Sequence, residues 1–177
     1  MTAFVRRFMG VLVLDPATFE EIEADRRAGF ESAAVVMLVC AAAGTAALNL
    51  GLTGLAGFTG GTIVALGAWL IWISVVTTIG TRVLAEGETR SNTAELLRTL
   101  GFASAPGVFL AFASLRTAAP LVFVVVAVWM IAAEVIAMRQ ALDYRSTTRA
   151  IAVSVLAWIV ALGVALAISM LLSAPVA

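Results

Sequence analysis

The stretch SAAVVMLVCAAAGTAALNLGLTGLAGFTGGTIVALGAWLIWISVVTTIGT, Ser32 to Thr81, contains no ionisable carboxylate or base. It is roughly twice as long as one helix needs to cross a ~30 Å hydrocarbon core, so it must double back on itself. The return is written at Asn49, Gly51, Gly54, Gly57, Gly60 and Gly61, where glycine permits positive φ and apolar bulk thins out. Two membrane spans are expected, 31–50 and 60–84. Further along, an amphipathic first turn leads into an uncharged run that ends at Arg116, giving a third span at 95–115. Pro120 stands where a helix starts at no cost in hydrogen bonds, and a fourth span follows at 120–141. The last run, uncharged from Ala150 onward, supplies a fifth at 149–172.

The expected fold class is therefore all-α, a polytopic membrane bundle of five transmembrane helices. Composition agrees, since 62% hydrophobic and 12% charged residues make a chain too apolar for a soluble domain of this size. The expected organisation is a cytoplasmic, helical segment at 1–30, the five-span domain at 31–173 and a short extracytoplasmic tail at 174–177.

Ten of the eleven arginines lie in three places: the first thirty residues, Arg82 to Arg98, and Arg139 to Arg149. With five spans and a cytoplasmic N-terminus all ten stay inside and only Arg116 lies outside, as the positive-inside rule requires. The formal net charge is zero, so the arginines read as topology determinants and nothing points to nucleic acid.

The apolar stretch Met9 to Leu14 is stopped at once by Asp15 and Pro16, which is too short for a cleavable signal peptide. On a helical wheel Phe4, Val5, Phe8, Met9, Val11 and Leu12 share one arc, and Arg6, Arg7 and Gly10 the opposite one. Two placements fit: a helix in the membrane interface with its arginines toward anionic headgroups, or a helix packed under the bundle. Asp15-Pro16 is an N-cap followed by proline at the first helical position, so a polar helix is expected from Pro16 to about Ala28. Glu23 would pair with Arg27 one turn on, and Gly29 would cap the helix before the first span.

The chain has one cysteine, Cys40, and neither histidine nor lysine. An intramolecular disulfide is excluded, and Cys40 in mid-span reads as a small buried filler. Ser-His, Cys-His and Schiff-base chemistry lack their residues. The acids sit at no metal-ligand spacing, and Gly57 to Gly61 lacks the lysine of a phosphate loop. No catalytic, cofactor-binding or metal residues are expected, and the chain reads as a non-enzyme. Small residues recur at helical spacing, as at Gly61 and Ala65, Ala157 and Ala161, and Gly163 and Ala167, which lets membrane helices approach closely.

Five residues are candidates for function: Glu134, Arg139, Pro106, Glu95 and Arg98. Glu134 is an acid well inside a span, where a carboxylate is costly unless protonated, paired or snorkelled. It either reaches the interface or an arginine of a neighbouring segment, or has a proton- or cation-linked role. Pro106, with Gly101, Ser104 and Gly107, breaks the third helix. Such breaks occur where backbone lines a cavity or is covered by protein. A re-entrant hairpin, leaving four true spans, is the alternative there. Thr77, Thr78, Ser104 and Ser154 are the other polar residues in the spans, and such side chains usually bond to their own helix.

Val83-Leu84-Ala85-Glu86-Gly87-Glu88 and then Glu95-Leu96-Leu97-Arg98-Thr99-Leu100-Gly101-Phe102-Ala103-Ser104-Ala105-Pro106 resemble the central motif of the Yip1 domain family. Leu14-Asp15-Pro16 with Phe19 and Ile22 is similar to that family's pre-membrane segment, and Met138-Arg139-Gln140 with Arg145 to Ile151 to its basic loop. The chain departs from bacterial relatives at Asp143, Tyr144 and Arg145, where these often carry glycine. The resemblance implies a five-helix scaffold without enzymatic activity. Eukaryotic members act as adaptors toward small GTPases through a longer N-terminal motif that residues 1–30 do not contain, so that role does not carry over. The compact, lysine-free chain looks like a bacterial inner-membrane member.

Three readings of function follow. The first is an adaptor or an accessory subunit of a membrane complex, with a membrane-protein partner or a second copy of itself. The second is a small transporter or channel subunit built on Glu134 and the Pro106 break. The third is lipid handling through the N-terminal helix.

Overall fold

The computed structural model describes residues 2–48, 54–84, 93–144 and 146–173. Seven α-helices run in order: α1 Ala3–Leu12, α2 Pro16–Ala24, α3 Ala28–Ala47, α4 Gly54–Thr78, α5 Thr93–Ala103, α6 Ala119–Ala141 and α7 Thr147–Ser173. A π-helical turn, Ile79–Val83, prolongs α4, and a 3-10 helix, Ala105–Ser114, prolongs α5. The described residues contain no strand. Among the described residues five segments are long and apolar enough to cross a membrane: Ala28–Ala47, Gly54–Val83, Thr93–Ser114, Ala119–Ala141 and the final helix from Thr147. Only helices satisfy every backbone group from within when no water is at hand, and the exposed Leu55, Ile63, Val64, Val124 and Ile159 supply a surface suited to lipid.

The first two spans sit closer to the N-terminus than expected. The first helix begins at Ala28, and the second at Gly54, whose φ of +63° only glycine adopts readily. Gly57, Gly60 and Gly61 therefore lie inside α4 rather than in the turn, where glycine allows close packing: Gly61 faces Gly44 and Ala47 of α3. The turn residues Asn49 and Gly51 lie outside the described residues, as do Glu86, Gly87, Glu88, Arg90, Arg145 and the tail 174–177.

The third span does not turn back. Gly101 lies against Ser32 and Gly107 against Val39, so α5 and its extension advance beside α3 in one direction. Instead of kinking an α-helix, the break changes the winding. Pro106 is buried in the first turn of the 3-10 helix, where its missing N–H leaves no bond unmade. Ten residues of 3-10 helix are unusual, and this stretch is packed against both α3 and α6.

The polar helix is shorter than expected. Asp15 caps α2 by accepting from the Ala17 N–H at 3.2 Å, but α2 ends at Ala24. Glu23 and Arg27 are thus not on one helix, and Gly29 lies inside α3 instead of capping the previous element. The reason is tertiary. Asp25 accepts from the Arg27 N–H at 2.9 Å and from Arg7, holding the chain extended between α2 and α3.

The structure packs α1 against the bundle. Phe4, Phe8 and Leu12 join the core, Val11 is fully buried, and the Phe4 and Phe102 rings lie 6.3 Å apart. Arg7 is on the buried side, contrary to the wheel reading, because three carboxylates converge on it.

Candidate functional site

Charged groups gather at the end of the bundle where α1 begins and α2 ends. Arg7 donates from Nε to Glu21 at 2.9 Å, from Nη2 to Asp25 at 2.6 Å and from Nη1 to Glu31 at 2.7 Å. One guanidinium fork, whose five donors suit several carboxylates at once, thereby ties α1 to α2, to the α2–α3 connection and to α3. The Arg7 hydrogen bond holds the Asp25 carboxyl below the usual carboxylate range. Arg6, largely exposed, adds a bond to Glu21 at 2.6 Å.

Beside this clamp is an open, polar cleft of about 490 Å³ lined by Glu20, Glu23, Ala24, Arg26, Glu95 and Arg98. Glu95 lies in the first turn of α5 and Arg98 one turn on, so helical spacing brings both to the same face. Arg98 is buried, passes Gly29, and donates from Nη2 to the Glu23 backbone oxygen at 2.5 Å. Burial, helped by the charges of Asp143 and Glu95 and opposed by Arg98, pushes the Glu23 carboxyl up to about 7. Arg139 is exposed in the last turn of α6, and its neighbour Gln140 donates to Glu20 at 2.9 Å.

Glu134 stands apart from this cluster. It is 1% exposed and accepts the Trp158 indole N–H at 3.0 Å. It neither snorkels nor shows an ion pair among the described residues, because an indole on α7 reaches it before an arginine does. Ser154, one turn before Trp158 on α7, lies beside the carboxyl outside hydrogen-bonding geometry, and the Trp72 ring packs 6.1 Å from that of Trp158. Ser154 Oγ and Trp72 Nε1 are buried and have no hydrogen-bond partner among the described residues. Ser104 is closed off by a different indole, Trp69 Nε1 donating at 3.1 Å. Thr77, Thr78 and Ser104 bond to carbonyls of their own helices, and Cys40 is buried.

Of the five candidate residues, Glu95 and Arg98 are brought together, Arg139 lies at the same end of the bundle, and Glu134 and Pro106 are separate and internal. Arg7 was missed, as were the indoles. The signal for the indoles was present: Trp69, Trp129 and Trp158 stand away from the span ends, and an N–H in lipid needs an acceptor.

A family profile for the Yip1 domain matches residues 9–168. The chain belongs to the Yip1 domain family. No curated protein and no solved structure matches it. In this Yip1 domain protein the pre-membrane segment forms the turn between α1 and α2 together with α2 itself, and Glu95 to Pro106 forms α5 and the entry to the 3-10 helix. The departure from glycine also has a structural setting. Asp143 has φ +52°, a conformation that glycine adopts freely and Asp tolerates. The Tyr144 hydroxyl sits between the carbonyl oxygens of Gly80 (2.8 Å) and Leu84 (3.1 Å), closing the π-helical end of α4.

Proposed function

We propose that this Yip1 domain protein is a non-enzymatic membrane scaffold, an adaptor or accessory subunit of a larger membrane complex, with its five-helix domain at 31–173. The N-terminus is cytoplasmic and the C-terminus extracytoplasmic, by the placement of ten of eleven arginines. Its contact face is the arginine-rich end, and its partner is another membrane protein or a second copy of the chain. It takes no cofactor and no nucleic acid. The observation that carries this reading is the open cleft of Glu20, Glu23, Arg26, Glu95 and Arg98, which gathers three carboxylates and two guanidinium groups at the span ends. Such a surface suits a partner segment bearing arginine or lysine, since charge complementarity fixes register and partner choice. Gentle extraction from native membranes with identification of co-purifying proteins tests it. A reproducible partner is expected, lost in the Glu20→Arg/Glu95→Arg double variant at unchanged protein level. No partner, with uptake reconstituted from the pure protein, would sink the proposal.

A second reading, a small transporter or channel subunit, is favoured by one observation: the buried Glu134 carboxyl next to Ser154, whose hydroxyl has no hydrogen-bond partner among the described residues. Buried polar groups without partners mark places where water or an ion belongs. If Glu134→Gln leaves protein level and every measured flux unchanged, that reading falls.

A further inference from the structure

Two hydrogen bonds set the direction of the α1–α2 hairpin along α6. Gln140 binds Glu20 near the end of α6, and the Trp129 indole N–H donates to the Leu12 backbone oxygen at 3.0 Å. Trp129 is twelve residues from Ala141, the last residue of α6, or roughly 18 Å along the helix at about 1.5 Å per residue. The Trp129 ring stacks on Phe109 at 5.4 Å, in the 3-10 helix just past the Pro106 break. The tip of the hairpin therefore reaches the middle of the bundle.

The backbone donors of the tip are closed on the hairpin itself. Val13 N–H bonds Met9 O, Leu14 N–H bonds Val11 O, and Asp15 N–H bonds Gly10 O. Pro16 has no N–H, Ala17 N–H bonds the Asp15 carboxylate, and Thr18 N–H bonds Asp15 O. Every backbone donor from Val13 to Thr18 is thus paired internally, and the Asp15 carboxylate accepts from the Thr18 hydroxyl at 2.8 Å as well. Backbone at membrane depth must be satisfied from within, and the donors of this capped turn meet that condition. The outward face of α1 agrees. Val5, Met9 and Val13, four residues apart, are 41%, 48% and 71% exposed, while Phe4, Phe8, Val11 and Leu12 fill the inner face.

We infer that the α1–α2 hairpin is inserted into the leaflet that holds the Arg139 end, with Val5, Met9 and Val13 against its acyl chains. Seven helices then occupy that leaflet and five the other, so the protein is broader on the α1–α2 side. The inference is independent of the adaptor reading. Its test is the depth of single nitroxide labels in the full chain, reconstituted in phosphatidylcholine/phosphatidylglycerol vesicles. Cys40→Ala removes the native thiol, and cysteines replace Met9, Val13, Val128 and Arg26 one at a time. Val128 is 64% exposed next to Trp129 and marks span depth; Arg26 lines the open cleft and marks the aqueous side. Labels at Met9 and Val13 are expected to collide with oxygen as often as the Val128 label does, and severalfold less often with a water-soluble nickel chelate than the Arg26 label. Nickel accessibility at Val13 equal to that at Arg26 would overturn the inference. Two positions on α1 keep the test valid if one variant does not fold.

Discussion

The Trp158 indole N–H lies 3.0 Å from Glu134 Oε2, joining α7 to α6 inside the bundle. A hydrogen bond between membrane helices is worth about 1 kcal/mol, and removing the donor leaves a buried acceptor unmatched. Trp158→Phe is expected to lower stability in detergent by about 1–2 kcal/mol. Glu134→Gln, which keeps an acceptor oxygen, is expected to cost less than Glu134→Leu. Thermal denaturation midpoints of the three variants check this order.

Arg7 is the larger anchor. Removing one member of a buried charged cluster leaves the others uncompensated, at about 3 kcal/mol; the partial exposure of Glu21, Asp25 and Glu31 lowers that figure. Arg7→Ala is expected to destabilise by roughly 2–3 kcal/mol and to open α1 to protease. Arg7→Lys should recover only part, because an ammonium cannot present the three-way fork. The exposed Arg6→Ala change serves as the comparison, with an expected loss of less than about 1 kcal/mol.

Among the described residues two positions carry left-handed backbone without glycine, Leu14 at φ +59° and Asp143 at φ +52°. Leu14 ends α1 with the Asp15 N–H to Gly10 O bond of a Schellman motif. That conformation costs an L-residue about 1–2 kcal/mol. Asp143→Gly is expected to raise the melting temperature and Asp143→Val to lower it. At Leu14 the gain from glycine is opposed by the loss of side-chain packing against the core.

Glu23 supplies a pH dependence. Its carboxyl titrates near 7 when folded and at 4.5 as a free side chain, so between those values the folded state binds the proton and the unfolded state releases it. Stability from this group is full below pH 4.5 and falls as pH rises toward 7. Comparing denaturation midpoints of wild type and Glu23→Gln at pH 4 and pH 8, which lie outside the window between the two values, isolates it. An equal pH response in both proteins would count against this assignment.

Gly10 faces Thr18, and a Cβ there would collide with the threonine side chain. Gly10→Leu is expected to separate α1 from α2, and Gly10→Leu/Thr18→Ala to restore part of the loss. Protease protection of residues 1–24 measures both.

What could be read without coordinates was whatever depends on long runs of one character. Uncharged stretches and the arginines between them give five spans within a few residues of their ends, since solvation in hydrocarbon is a sum over many side chains. The capping of α2 by Asp15 and Pro16 is equally local. The family resemblance rested on short motifs in order, and the profile match covers the same stretch.

What only the tertiary structure decided depends on partners far apart in the chain. A wheel places Arg7 with the polar arc, yet it is buried because Glu21, Asp25 and Glu31 come from three separate places. Hydropathy places Glu134 well inside a span and leaves its partner open, and an indole from α7 takes that place. The fate of Pro106 turned on α3 and α6 enclosing the 3-10 helix, and the depth of the α1–α2 hairpin on one carbonyl meeting Trp129. Membrane insertion sums over many residues and survives the error of any one. A single hydrogen bond or ion pair depends on two atoms meeting, and their separation in sequence carries no record of it.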